Sequence, residues 1–187
     1  MATTADFRIG MVIRYNGELH RIEEYIHRTP GNLRAFVQAK LRNLKTGRVT
    51  ETRYRSGEEV EEVRVEQKEF QYLFHDGSSY QFMDKETYEQ IPVDEVILGD
   101  AAKFIKEGET IQLQLVGSEI VAAEIPFNVE LKVIETVPGV RGDTATGAQK
   151  PAKVETGATV NVPLFINEGD IIRVDTRTGK YLERVNA

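Results

Sequence analysis

The chain has 187 residues, a formal net charge of −6 and no cysteine, with 40% hydrophobic and 29% charged residues. These values are ordinary for a globular protein, and the missing cysteine excludes disulfides, thiolate metal sites and a cysteine nucleophile. No apolar run approaches the roughly 20 residues needed to span a membrane and no signal-peptide core is present, so we expect a cytoplasmic protein.

The first third of the chain is predicted to form a curled antiparallel β-unit, because short alternating segments are separated by turn signals. One signal is Asn16-Gly17, which suits the type I′ turn of a two-residue hairpin. The unit is expected to end by about residue 64, with a break in the acidic run 58–62. Its predicted strands are residues 11–15, 19–27, 35–43 and 49–55.

A loop over residues 30–36, here called the finger loop, reads Pro-Gly-Asn-Leu-Arg-Ala-Phe. Pro presets φ and Gly accepts a positive φ, so a tight, exposed turn is predicted. The surroundings are basic, since residues 1–57 hold 11 Lys and Arg against 5 Asp and Glu, whereas the remainder holds 13 against 25. Such a finger on a rigid sheet suits an RNA-lined cleft. An ordinary surface hairpin with a solvated basic face is the alternative.

The rest of the chain is predicted to form two further β-units of short strands. A short helix is expected over residues 101–106, capped by Asp94 or Asp100 and stopped by Gly108. A turn-rich stretch over 138–151 interrupts the last unit, whose pattern suits a small Greek-key barrel of the OB kind. The predicted strands are residues 70–74, 79–83, 110–116, 119–125, 129–134, 159–165, 170–174 and 181–185.

The sequence predicts an all-β protein, because turn signals recur roughly every 8–12 residues and no βαβ alternation is present. Catalytic machinery is not evident, and an enzyme is the least favoured class. His20, His27 and His75 lack metal-ligand spacing, so we expect no metal site, no cofactor and no catalytic residue.

The last predicted hairpin is a second place where basic and aromatic residues interleave. Arg and Lys can position phosphates, and Tyr can stack on a base or ribose. Ordinary surface charge explains the same spacing equally well. The residues are Arg173, Arg177, Lys180, Tyr181 and Arg184.

Residues 150–169 read Lys-Pro-Ala-Lys-Val-Glu-Thr-Gly-Ala-Thr-Val-Asn-Val-Pro-Leu-Phe-Ile-Asn-Glu-Gly. This segment resembles the C-terminal signature of the bacterial elongation factor P family, with Lys, Ala, Gly, Val-Pro, Ile and Gly at the expected spacing. The segments 6–10, 40–47, 138–144 and 174–181 resemble the family as well. The likeness therefore covers the whole chain.

The resemblance implies three small barrels in an elongated, L-shaped arrangement that mimics tRNA. A SH3-like (KOW-like) domain would span residues 1–64, a central OB-like domain 65–127 and a C-terminal OB-like domain 128–187. It implies a monomeric factor, not an enzyme, with no cofactor, membrane or small-molecule substrate. The implied partners are the ribosome, through its RNA and proteins, and the peptidyl-tRNA in the P site. The implied function is to stimulate peptide-bond formation and relieve stalls at consecutive prolines.

The resemblance also assigns two contact sites. The finger loop would reach toward the acceptor end of the peptidyl-tRNA at the peptidyl-transferase centre, and a second site would contact the small subunit and the tRNA. The finger residues are Pro30, Gly31, Asn32, Leu33 and Arg34. The second set is Gly142, Asp143, Thr144, Tyr181 and Arg184.

The chain departs from the family at the tip of the finger loop. Many members read Pro-Gly-Lys-Gly-x-Ala-Phe and carry a modified Lys, and others carry a glycosylated Arg at that position. Here Asn32 occupies the position, followed by Leu33. Asn offers neither an amine nor a guanidinium for these modifications, so two hypotheses stay open. Either Asn32 acts bare as a hydrogen-bonding tip with Arg34 supplying charge, or Arg34 itself reaches the place that the modified side chain occupies elsewhere.

A general single-stranded-RNA-binding or RNA-chaperone module is the alternative of a different class. Such modules combine a basic groove with stacking aromatics. Residues 58–187 are net acidic and only 8% of all residues are aromatic, which disfavours this alternative. Co-sedimentation with ribosomes or with free RNA would separate the two.

Overall fold

The structure, a computed structural model, describes residues 1–139 and 147–185. In these ranges sixteen strands form one sheet of six strands and two sheets of five, with only short helical segments beside them. The all-β class predicted from the sequence is therefore confirmed.

The first sheet has the strand order β1-β6-β2-β3-β4-β5. Asn16 and Gly17 both have positive φ, at 50° and 80°, as the predicted type I′ turn requires. A 3-10 turn over Thr4–Asp6 follows the first strand. The strands are β1 (Ala2–Thr3), β2 (Val12–Tyr15), β3 (Glu18–Arg28), β4 (Phe36–Asn43), β5 (Val49–Arg55) and β6 (Glu59–Glu62).

Strand β6 corrects one expectation, because it lies in the acidic run that was predicted to be a break. Val60 is buried, while Glu61 accepts a hydrogen bond from Arg14 at 3.1 Å. Glu62 forms an ion pair with Arg8. Cations on neighbouring segments thus balance the glutamates, and one buried valine is enough to orient the strand.

The second sheet has the order β11-β10-β7-β8-β9. The predicted helix begins earlier than expected: an α-turn, α1 (Glu95–Leu98), is capped by the Asp94 side chain, and a 3-10 segment over Gly99–Phe104 follows. The strands are β7 (Glu66–His75), β8 (Tyr80–Asp84), β9 (Gln90–Val93), β10 (Thr110–Val116) and β11 (Glu119–Glu124).

The third sheet has the order β14-β13-β12-β15-β16. Strand β13 lies partly within the stretch predicted to be turns, and it alternates exposed and buried residues. Its Lys150 is only 4% exposed and donates from Nζ to the Val137 carbonyl at 2.7 Å. The strands are β12 (Asn128–Thr136), β13 (Gln149–Val154), β14 (Thr159–Pro163), β15 (Ile171–Asp175) and β16 (Lys180–Val185).

The chain divides into two compact units. One contains Met1–Lys68 and Gln114–Ala122, and in it Val121 packs with Val12 and Leu19. The three-domain boundaries expected from the sequence are a finer division than this one and stay a prediction.

The other unit contains Glu69–Leu113 and Ala123–Ala187. In it Phe104, at the end of the 3-10 segment, is 1% exposed and lies in the core of the third sheet with Leu131 and Ile172. The helical segment therefore contributes directly to that core.

None of the helices in the described ranges is long and apolar enough to cross a membrane.

The turn between β7 and β8 should make folding stability depend on pH. The Asp76 carboxylate accepts backbone hydrogen bonds from Ser78 and Ser79, each at 2.9 Å, and one from Gln81 Nε2 at 2.7 Å. These bonds hold the pKa of Asp76 below its ordinary value of 3.8. A lowered pKa gives stability that is present above the ordinary value and lost as the pH falls through the folded value.

We therefore expect Asp76→Asn to lower the melting temperature at neutral pH, and the difference from the parent to shrink below about pH 4. Thermal unfolding followed by circular dichroism over a pH series measures this. A difference that stays constant down to strongly acidic pH would contradict it.

Candidate nucleic-acid interface

The finger loop ends in a tight turn, in which the Leu33 amide donates to the Pro30 carbonyl at 3.1 Å. Asn32, Leu33 and Arg34 are exposed. Gly31 is not among the glycines with positive φ, so the turn does not use the left-handed freedom expected of it. A Cβ at Gly31 would meet no atom within 4 Å. The predicted exposed tip is present, but its geometry does not depend on the glycine.

The strands that carry the finger loop place an aromatic ring among arginines. Phe36 on β4 lies opposite Arg28 on β3 and opposite Arg55 on β5. Directly opposite residues of antiparallel strands have side chains on the same face, about 4.5–5.5 Å apart at Cβ. The guanidinium of Arg53, also on β5, lies 3.5 Å from the centroid of the Phe36 ring. We call Phe36 with Arg28, Arg53 and Arg55 the arginine platform.

An open hollow of about 700 Å³ adjoins the arginine platform. Arg34 lines it together with Phe36, Arg53 and Arg55. The tip of the finger loop and the platform therefore contribute to one surface.

The arginine side chains of this surface are not held in ion pairs in the part of the chain that the structure describes. Further along the same sheet the cations are paired, Lys40 with Glu24 at 2.7 Å and Arg42 with Glu23. Within residues 1–139 and 147–185, by contrast, no carboxylate forms an ion pair with the four arginines around the finger loop. These are Arg28, Arg34, Arg53 and Arg55.

The sequence placed Arg34 and Phe36 in the finger loop, but Arg53 and Arg55 were not identified as its neighbours. The alternation in β5 was the available signal, because residues 53 and 55 must share a face. Their position opposite Phe36 depends on the strand register, which the sequence pattern left open.

Tyr181 and Arg184, of the second predicted site, lie on the last strand. They are three residues apart, which in a regular strand places side chains on opposite faces. A register irregularity in β16 changes this, because Tyr181 is opposite Val174 and Arg184 is opposite Ile172. Both partners are buried, so both residues turn toward that face.

Tyr181 is half-buried and packs against the core of the third sheet. Arg184 is more exposed, with its guanidinium 5.5 Å from the centroid of the exposed Phe165 ring and 3.8 Å from Asp170 Oδ2. Gly142, Asp143 and Thr144 lie outside the described residues.

The cations of this last hairpin are largely balanced. Arg173 binds Glu130 at 2.8 Å and also forms an ion pair with Glu183. Arg177 binds Asp175 at 2.9 Å, and its guanidinium holds the pKa of that carboxyl below the ordinary value. Among the described residues, more arginines without an ion-pair partner therefore lie around the finger loop than in this last hairpin. The assignment of the second site stays a prediction.

No cluster of three or more histidines or carboxylates within residues 1–139 and 147–185 could hold a metal ion. His20, one of the candidates considered from the sequence, is 5% exposed and lies 3.0 Å from the Glu18 carbonyl through Nδ1. It is a buried strand residue with a local partner.

Family models match nearly the whole chain. The Elongation factor P (EF-P) KOW-like domain matches residues 3–60, the Elongation factor P (EF-P) OB domain matches 65–123, and the model "Elongation factor P, C-terminal" matches 129–184. These matches confirm the resemblance to the elongation factor P family that the sequence motifs indicated.

Curated relatives extend the likeness to full length. The chain is 52% identical to Elongation factor P of Chloroflexus aggregans over 185 residues, covering 98% of each protein. It is also 52% identical to Elongation factor P of Roseiflexus sp. (strain RS-1), covering 99% of this chain and all of that protein. A solved structure titled eukaryotic translation initiation factor 5A from Methanococcus jannaschii matches with a TM-score of 0.50 at 20% identity. It covers 65% of this chain and 94% of that one, and it shows a shared fold.

Proposed function

The chain belongs to the elongation factor P family and is a translation elongation factor, and from that premise we propose that it binds the ribosome beside peptidyl-tRNA. There it stimulates peptide-bond formation and relieves stalls at consecutive prolines. It acts as a cytoplasmic monomer that contacts ribosomal RNA and proteins, and it performs no covalent chemistry of its own.

The observation that carries the proposal is the surface of arginines around the finger loop, which form no ion pairs in the described residues, with Asn32 and Arg34 at its exposed end. RNA phosphates are the ligands that such a surface attracts, and these contacts position a nucleic acid more than they read its sequence. The tip of the finger loop, Pro30 to Arg34, would then lie toward the acceptor end of the peptidyl-tRNA.

The reaction needs positioning more than acid–base chemistry. Proline is a poor nucleophile with restricted geometry, so an unfavourable orientation of the reacting groups raises the barrier. A factor that orders the end of the peptidyl-tRNA reduces the entropy that is lost on reaching the transition state. In well-oriented systems this effect lowers the barrier by several kcal/mol, about 7–11 at most. Phosphate contacts and a rigid finger loop are sufficient for this role.

The second contact site would bind the small subunit and the tRNA. We assign to it Tyr181 and Arg184, together with Gly142, Asp143 and Thr144. Arg184 beside the exposed Phe165 supports this assignment, because a cation next to an exposed ring offers RNA both a phosphate contact and a stacking surface.

The test is synthesis of a reporter with three consecutive prolines in a reconstituted translation system. The factor is produced without any modifying enzyme, and its intact mass is checked. Relief of the stall, with no change for a matched reporter carrying alanines instead, is the expected result. Failure to relieve the stall, together with failure to co-sediment with ribosomes, would overturn the proposal.

A further inference from the structure

We propose that the arginine platform binds one unpaired nucleotide of single-stranded RNA, whose base stacks on the guanidinium of Arg53. The inference rests on the proposed function in its choice of RNA as the ligand. It goes further in naming the state of that RNA, the residue that holds the base and the residues that hold the phosphates.

Arg53 stacks on the Phe36 ring, which gives the platform a flat cationic surface. At 3.5 Å from the ring centroid, the guanidinium has one face covered by Phe36. Arg53 is exposed, while Phe36 is half-buried, so the ring supports the guanidinium from the protein side and the residue stays accessible from solvent. Unstacked bases pack on arginine guanidinium planes as they do on aromatic rings.

Two arginines beside Phe36 are placed to bind phosphates. Arg28 and Arg55 lie opposite Phe36 on its two flanking strands and therefore beside the stack. Neither pairs with a carboxylate within the ranges that the structure describes. Arginine binds phosphate through a bidentate fork, so these two residues suit the phosphates on either side of a stacked base.

The adjoining hollow is the third observation. Its volume of about 700 Å³ is sufficient for a nucleotide, since small-ligand sites run from about 300 to 1,000 Å³. Arg34 lines the same hollow, which extends the row of cations toward the tip of the finger loop.

Single-stranded RNA fits these features better than the other polyanions. A duplex keeps its bases stacked inside, so it would use the cations and leave the Arg53 plane unused. An acidic peptide would likewise bind only through the charge of the arginines. A planar cation held by an aromatic ring gives its additional binding energy only to a planar partner.

The test separates the plane of Arg53 from its charge. A fluorescein-labelled adenosine hexamer is titrated at low salt, and the dissociation constant is obtained by anisotropy for the parent, Arg53→Lys and Arg55→Lys. Arg14→Lys is the matched control, because Arg14 lies on β2 and is paired with Glu61. We expect Arg53→Lys to weaken binding about tenfold with an unchanged salt dependence, because the charge remains while the planar stacking surface is lost. Arg14→Lys should change it less than about twofold. Arg55→Lys keeps the charge but loses the bidentate fork, so it should weaken binding by a smaller factor than Arg53→Lys.

Three results would overturn the inference. One is equal affinity of the parent and Arg53→Lys for the hexamer, with melting temperatures showing that both are folded. The second is no binding of the hexamer by the parent. The third is tighter binding of a blunt RNA duplex or a poly-glutamate peptide than of the hexamer. Stall relief by the parent in the proline reporter, measured in parallel, shows whether the proposed function survives any of these results.

Discussion

Replacing Phe104 with alanine is expected to lower the free energy of unfolding by about 3–5 kcal/mol, the usual cost of removing a buried aromatic ring. Phe104 is 1% exposed and lies in a core cluster with residues of the third sheet, among them Leu131, Val160 and Ile172. Domains of this size have total stabilities of about 5–15 kcal/mol, so the loss would be a large share of the whole.

Urea unfolding followed by circular dichroism measures this change. Phe74→Ala is the matched control, because Phe74 lies in the same unit and is 46% exposed. The control is expected to cost clearly less than Phe104→Ala, about 1–2 kcal/mol, because about half of Phe74 is already exposed. A loss below about 1 kcal/mol for Phe104→Ala would show that the 3-10 segment does not contribute to the core as described.

Gly179 lies against the Phe104 ring, so its replacement tests the packing of that ring in a second way. Its φ is +68°, and a Cβ built there would lie 3.3 Å from Cζ of Phe104. Gly179→Ala therefore combines backbone strain with crowding of the ring. In a double-mutant cycle, the crowding part should disappear in the Phe104→Ala background, while the strain, roughly 1–2 kcal/mol, should persist. Equal costs in both backgrounds would contradict the contact.

Local chemistry made much of the fold predictable. The hairpin at Asn16-Gly17 follows from a dipeptide that accepts two positive φ values. Strands β6 and β13 are among those missed, because their stability comes from distant partners. The glutamates of strand β6 pair with Arg14 on β2 and with Arg8 before it, and Lys150 of β13 is buried with a hydrogen bond to the Val137 carbonyl. None of these partners is visible in a short sequence window.

The candidate site shows the same limit. Alternation in β5 places Arg53 and Arg55 on one face, but their distance from Phe36 depends on the register between β4 and β5. That register follows from the turn between the strands, where Asn43 Oδ1 accepts hydrogen bonds from two backbone amides, each at 2.9 Å. A turn one residue longer would move the arginines to the other face. The alternation of polar and apolar residues does not predict such hydrogen bonds from a side chain to the turn, and so it does not predict the register.

Replacing Arg34 with alanine is expected to reduce stall relief on the three-proline reporter by about tenfold. Arg34 is exposed at the end of the finger loop and forms no ion pair within the described residues, so its guanidinium is available to phosphate. A hydrogen bond to a charged group contributes about 1.5–3 kcal/mol, which corresponds to a factor of ten or more. The measurement is the rate of full-length product as a function of factor concentration, with unmodified protein.

Two variants make this prediction specific. Arg14→Ala removes a cation of the same sheet that is already paired with Glu61, and its stall relief should stay within about twofold of the parent. Asn32→Ala removes an uncharged hydrogen-bonding group from the tip, so its loss should be smaller than that of Arg34→Ala, at about two- to fivefold. Full activity of Arg34→Ala would show that Arg34 does not take the place of the modified side chain found in other members of the family. A larger loss for Asn32→Ala than for Arg34→Ala would instead identify the amide as the group that contacts the peptidyl-tRNA.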